Sequence, residues 1–160
     1  MRLLSDFRIL LLVLWLGAAC FFSFAVAPSA FSVLPSGELA GSVVNRTLAV
    51  VNYSGFFVGL ILLASSYAAR QNVNRIRLWI EQGTLLLLTA ACAFGQFVIA
   101  AKLSSLRALI GRPIDEVLAD DPLRVAFNDL HGYSVMILMT AMVAALVAFF
   151  LIVRRAGNFR

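Results

Sequence analysis

Apolar residues run along this chain in four long blocks. The charged residues leave four stretches free of Asp, Glu, Lys and Arg: Ile9–Ala27 (19 residues), Thr47–Ala69 (23), Gln82–Ala101 (20) and Leu130–Val153 (24). A helix needs about 20 apolar residues to cross a hydrocarbon core of roughly 30 Å. Within that core each backbone polar group must be satisfied inside its own segment. The pattern therefore predicts four transmembrane helices, about 9–27, 47–69, 82–101 and 130–153. No stretch alternates as a membrane strand would, which argues against a β-barrel. The expected fold is all-α: an integral membrane four-helix bundle forming one domain over residues 1–160, with a short interfacial helix between helices three and four.

The linking segments refine this picture. Pro28 and Pro35 bracket Ser29–Leu34, so the first helix should kink or stop there. Pro35-Ser36-Gly37 reads as a turn, with Glu38 in the first turn of the next helix. A short link around Ala69–Arg75 makes spans two and three an antiparallel hairpin. Gly111-Arg112-Pro113 should break the third helix. Ile114, Val117 and Leu118 fall at i, i+3 and i+4, the spacing of a short amphipathic helix lying at the interface. Asp121 before Pro122 is a good N-cap and first-turn pair, so helix four should begin at Pro122. Met1–Arg8 and Ala25-Val26-Ala27 resemble a signal peptide, but the apolar run is too long and Pro28 would follow the cut. The segment is expected to be retained.

Composition agrees with a bilayer as solvent. Hydrophobic residues make up 62% of the 160, against roughly 45–50% in soluble proteins. A domain this small could not hide so much apolar surface from water. That excludes a soluble enzyme, a disordered tail and a disulfide scaffold. Four spans put both termini on one side with the loop between spans two and three. That side holds Arg2, Arg8, Arg70, Arg75, Arg77, Arg154, Arg155 and Arg160, eight basic residues; the other holds five, Arg46, Lys102, Arg107, Arg112 and Arg124. The positive-inside rule then places both termini in the cytoplasm, and the expected location is a bacterial inner membrane. The short Arg clusters do not make the basic, aromatic-lined groove that nucleic acid would need.

Gly55 and Gly59 form a small-xxx-small pattern in span two. Such residues let helix backbones approach in lipid, here mainly inside one bundle, with a partner seam as the alternative. The polar residues within spans are Asn52, Ser54, Gln96, Thr140 and the group His131, Tyr133, Ser134. Polar side chains at membrane depth face the bundle or a cavity and suggest function. Of these, Asn52, Gly55, Gly59, Gln96, His131 and Ser134 are the candidates for a polar network or packing seam. Asn45-Arg46-Thr47 and Asn52-Tyr53-Ser54 match the glycosylation sequon, but the first lies too near the interface and the second too deep. Cys20 and Cys92 sit in different spans as small apolar residues.

Several of these residues carry a family likeness. Phe24-Ala25-Val26-Ala27-Pro28, Phe31, Leu34-Pro35, Ala40-Gly41, Val44, Arg46 and Tyr53 resemble the first half of transmembrane protein 205-like domains, four-span membrane proteins of largely unassigned function. Phe127, Leu130-His131-Gly132 and Ser134 resemble the fourth-helix motif of that family. Where the family often carries Asn four residues after that Ser, Leu138 stands here. The resemblance implies the four-span fold and very little about activity.

No catalytic constellation is visible. No span holds an acidic pair, and His131 and Ser134 share a helical face without oxyanion donors or a nucleophile turn. Asp129 and His131 alone fall short of the three or four ligands of a zinc site. The expectation is a non-enzyme: a structural or accessory subunit of a larger membrane complex, whose partners are the bilayer and other membrane subunits. The alternatives are a haem or chlorophyll-type cofactor carried through His131 and, further off, a small transporter. His131 is the only histidine, so a bis-His haem cannot form within one chain. The simpler expectation is that its ring hydrogen-bonds Asn52 or Tyr53 on span two.

Overall fold

The computed structural model describes residues 2–68 and 75–157. The first helix runs as an α-helix over Arg2–Phe21, widens into a π-helical segment at Phe22–Val26, and continues over Ala27–Val33; the whole is α1. Next comes α2, Gly37–Ala68. The third helix, α3, comprises Arg75–Phe94, a π segment at Gly95–Ala100, and Ala101–Ile110. The last, α4, spans Pro122–Gly157. Among the described residues four helices are long and apolar enough to cross a membrane, Leu3–Val33, Gly37–Tyr67, Arg75–Ile110 and Pro122–Arg154. No strand occurs among the described residues. The link expected around Ala69–Arg75 lies, apart from Arg75, outside the described residues.

Local chemistry sets the helix ends. Pro28 does not stop α1. A proline ring inside a helix clashes with the carbonyl four residues back, here that of Phe24. The wider π turn takes up the misfit, with the Ala27 N–H donating to the Phe22 carbonyl. The helix ends at Leu34, extended at ψ 143°, as the residue before Pro35 should be. Ser36 opens α2, its Oγ accepting from the Leu39 N–H at 3.2 Å. Gly111 closes α3 in the left-handed conformation, φ 64°, its N–H donating to the Arg107 carbonyl at 3.2 Å. Asp121 caps α4, with Oδ1 accepting from the Leu123 N–H at 2.8 Å.

One expectation is corrected between α3 and α4. The interfacial amphipathic helix is reduced to a single 3-10 turn, Ile114–Glu116. Val117 is extended and buried while Leu118 is exposed, so the expected apolar face never forms. Too few residues separate Pro113 from the Asp121 cap to cover the cost of a helix nucleus. The Arg124 guanidinium instead donates to the Val117 carbonyl and ties this segment to the start of α4.

Successive helices run antiparallel and pack as a closed ring: α1 on α2, α2 on α3, α3 on α4, α4 on α1. The starts of α1 and α3 and the end of α4 share one end, here the terminal end. Pro35 and the Gly111–Asp121 segment lie at the other, the loop end. Buried positions follow a spacing of four and three: Arg8, Leu12, Trp15, Ala19 and Phe22 on α1, and Ser134, Leu138, Ala141, Ala145, Ala148 and Ile152 on α4. That spacing is the seam of a left-handed bundle. Alanines draw the backbones together, and the Trp15 indole N–H crosses to the Val51 carbonyl at 2.9 Å.

Candidate functional site

Two adjoining cavities open at the loop end, where α1, α2, α3 and α4 diverge. The outer one, of about 290 Å3, carries Asn45, Arg107, Arg112, Asp115 and Asn128 among apolar side chains such as Phe31, Leu103 and Phe127. The inner one, of about 210 Å3, is apolar and lies between α1, α2 and α4 beside Phe22, Phe24, Leu48, Val135, Leu138 and Met139. Phe31, Val44 and His131 line both. The π segment of α1 supplies Phe22, Ser23 and Phe24 to the inner wall. Such segments recur at functional sites because they displace side chains from the regular helical register.

Each wall is fixed by its own chemistry. Arg107, in the last turn of α3, is placed where a cation complements the helix dipole. Its guanidinium carbon lies 5.5 Å from the centre of the Phe127 ring on α4, a cation–π contact. Gly41 makes room for it: a Cβ there would come within 3.1 Å of Nη2. One turn further out, a Cβ on Gly37 would collide with the Asp115 carboxylate. Asp115 thus rests against the N-terminus of α2, whose first turn also holds Glu38. The positive end of that helix favours both acids.

The sequence-predicted residues divide between this site and the interior. His131 is exposed and makes no hydrogen bond among the described residues. The expected pairing with Asn52 or Tyr53 does not occur. Val44 and Asn45 share the outer cavity with His131, and Asn52 lies about 10 Å deeper along α2. Asn52 is buried beside Gly95, and the Tyr53 ring packs edge-on to Phe97 at 5.9 Å. Ser134 is buried one turn below His131 and lines the inner cavity with Leu138. Gln96 stands in the π segment of α3 with its Oε1 buried and without a partner among the described residues. Gly55 abuts Trp15 and Cys92, and Gly59 abuts Thr89, so this glycine pair faces the inside of the bundle. Among the described residues no group of three His, Cys, Asp or Glu is placed to hold a metal.

A second polar cluster lies at the terminal end, centred on Arg8 and Glu81, which the sequence pattern puts among the flanking charges. Arg8 Nη2 on α1 donates to Glu81 Oε1 on α3 at 2.5 Å, and both side chains are almost fully enclosed. Nearby, Gln82 Nε2 donates to Ser66 Oγ at 3.1 Å. The signal for this pair was present. Arg8 continues the buried stripe Leu12, Trp15, Ala19, and Glu81 continues Leu85, Leu88, Cys92. Extending the inward face by one turn past each charge-free stretch locates both.

A family model described as a domain of unknown function, DUF4149, matches residues 10–111, from the first span to the end of α3. Neither a curated protein nor a solved structure matches the chain. With more than half of its length matched, the chain, which has four helices long and apolar enough to cross a membrane, belongs to the DUF4149 family.

Proposed function

We propose that the protein is a non-catalytic accessory subunit of a larger membrane complex, seated in a bacterial inner membrane with both termini cytoplasmic, and that it is kin to the transmembrane protein 205-like domains whose motifs it resembles. The observation that carries this reading is the closed middle of the bundle. Ala19, Leu62, Leu85, Leu88, Ala145 and Ala148 are fully enclosed, and Gly55 and Gly59 bring α2 hard against Trp15, Cys92 and Thr89. Transporters place their sites near the midplane in broken helices. Here α2 closes that level against α1 and α3, and the inner cavity reaches it only beside Phe22, Leu138 and Met139, which leaves the outer surface as the main working part. Bulky residues such as Phe57, Leu86, Phe94 and Phe97 are exposed there.

A second reading, carriage of a haem or chlorophyll-type cofactor, is favoured by His131 alone: its imidazole makes no hydrogen bond among the described residues and lines both cavities. One purification tests both readings. After gentle extraction from the native membrane, the protein is expected to migrate in native gels well above a detergent-bound monomer, together with other membrane proteins. A strictly monomeric species overturns the accessory role. A Soret or near-infrared band that disappears in His131→Ala establishes the cofactor reading; a colourless complex rejects it.

A further inference from the structure

We propose that the two cavities form one binding site for an anionic glycerophospholipid, its phosphate in the outer cavity and an acyl chain in the inner one. This does not depend on the accessory role. The two compartments meet at His131, Phe31 and Val44 and differ in character: charged and amide side chains occur only in the outer one, and the inner one is almost wholly apolar. That is the polarity profile of an amphiphile. Its orientation also matches the bilayer: His131 stands at the edge of the charge-free stretch Leu130–Val153, and Leu138 lies about 10 Å deeper along α4.

Charge complementarity selects an anion. The Arg107 guanidinium rests on the Phe127 ring beside Gly41, and neither Arg107 nor Arg112 forms an ion pair among the described residues. The two acids of the outer cavity, Glu38 and Asp115, belong to the α2 N-terminus, one turn further out than Arg107 and Gly41. A phosphate at the level of His131 therefore meets guanidinium donors first. Arginine suits this task because its fork binds phosphate oxygens in pairs. The exposed imidazole adds a further polar partner.

The test uses the purified full chain in detergent, titrated with phosphatidylglycerol or with phosphatidylcholine of the same acyl chains, bound lipid being counted by native mass spectrometry. One phosphatidylglycerol is expected to bind, preferred roughly tenfold or more, as charge-assisted contacts allow. Arg107→Gln/Arg112→Gln should erase the preference, and Arg112→Gln alone, at an exposed position outside the helices, should lose part of it and guards against misfolding of the pair. Val135→Trp, which fills the inner cavity from an exposed position, should weaken binding of both lipids. Equal binding of the two lipids by the unaltered protein overturns the proposal, as does full preference in the Arg variants. Displacement of the lipid by inorganic phosphate alone assigns the site to a free anion and overturns it too.

Discussion

A guanidinium and a carboxylate drawn into a helix bundle each lose their hydration, at several kcal/mol per ion. Arg8 and Glu81 recover part of that through the short contact between them, while the Arg8 Nε has no partner among the described residues. The pair is thus a poor source of net stability and a costly thing to break. Glu81→Leu strands a buried cation and is expected to destabilise the bundle by about 3–5 kcal/mol, read as a lower unfolding midpoint in detergent. The double variant Arg8→Met/Glu81→Leu should recover most of the loss, because the buried Arg8 charge goes together with its carboxylate. A single variant within about 0.5 kcal/mol of the unaltered protein would show that water reaches the pair. Charge-free stretches hide such a pair because they end at the first charge they meet. The inward stripe of every third and fourth residue carries the information instead, and it runs unbroken through Arg8 and Glu81. Hydrophobicity marks where the bilayer is; periodicity marks which way a residue points.

Between elements, packing is decided by what a glycine leaves out. Gly59 on α2 faces Thr89 on α3, and a Cβ there would collide with the Thr89 hydroxyl and lie 3.3 Å from its Cα. Thr89 cannot swing away freely, since its Oγ1 donates to the Leu85 carbonyl at 2.8 Å. Gly59→Ala is therefore expected to cost about 1–3 kcal/mol by overpacking. Gly83→Ala, in α3 with nothing within 4 Å of the added methyl, should instead leave stability unchanged or raise it by up to about 1 kcal/mol. Unfolding curves of the two variants compared side by side check this; equal effects would show that α2 and α3 do not close on Gly59. The existence and order of the four helices were legible in the sequence, as were the Asp121 cap, the Gly111 stop and the turn into Glu38. The π segments were not: Pro28 signals a kink or a stop in α1 without saying that a π turn resolves it, and nothing in the apolar block of α3 marks the second. The shortening of the interfacial helix to one 3-10 turn follows from length, since the spacing of Ile114, Val117 and Leu118 is helical while the segment is too short to propagate it. The candidate site was half visible. His131 and Ser134 stand out as polar residues in an apolar block, but Arg107 and Arg112 read as ordinary loop-side charges until the fold sets them across from His131.

For the whole molecule, the remaining question is which way it faces. The structure puts the start of α1 beside the start of α3 through Arg8 and Glu81, so the two ends of the bundle carry distinct sets of charges. Counted from the sequence, basic residues stand eight at the terminal end to five at the loop end. Enclosure modifies that count. Orientation is set by positive charge near the span ends that resists translocation, and in the folded bundle Arg8 is buried against Glu81. Removing it leaves seven to five, an asymmetry of the same sign. The two ends also differ in acids. Six of the eight, Glu38, Asp115, Glu116, Asp120, Asp121 and Asp129, belong to the loop end, but acids contribute little to orientation, so the Arg and Lys margin has to suffice. A margin of two or three is one that mutation can reverse. Both termini are therefore expected on the cytoplasmic side, with an alkaline phosphatase fusion after Gly111 active and one after Arg160 inactive. Replacing Arg75, Arg77, Arg154 and Arg155 by Gln would leave fewer basic residues at the terminal end than at the loop end. That variant is expected to show mixed or inverted fusion activity. Full activity of the Arg160 fusion in the unaltered chain would place the termini outside and turn the cavity of Arg107 and His131 toward the cytoplasm.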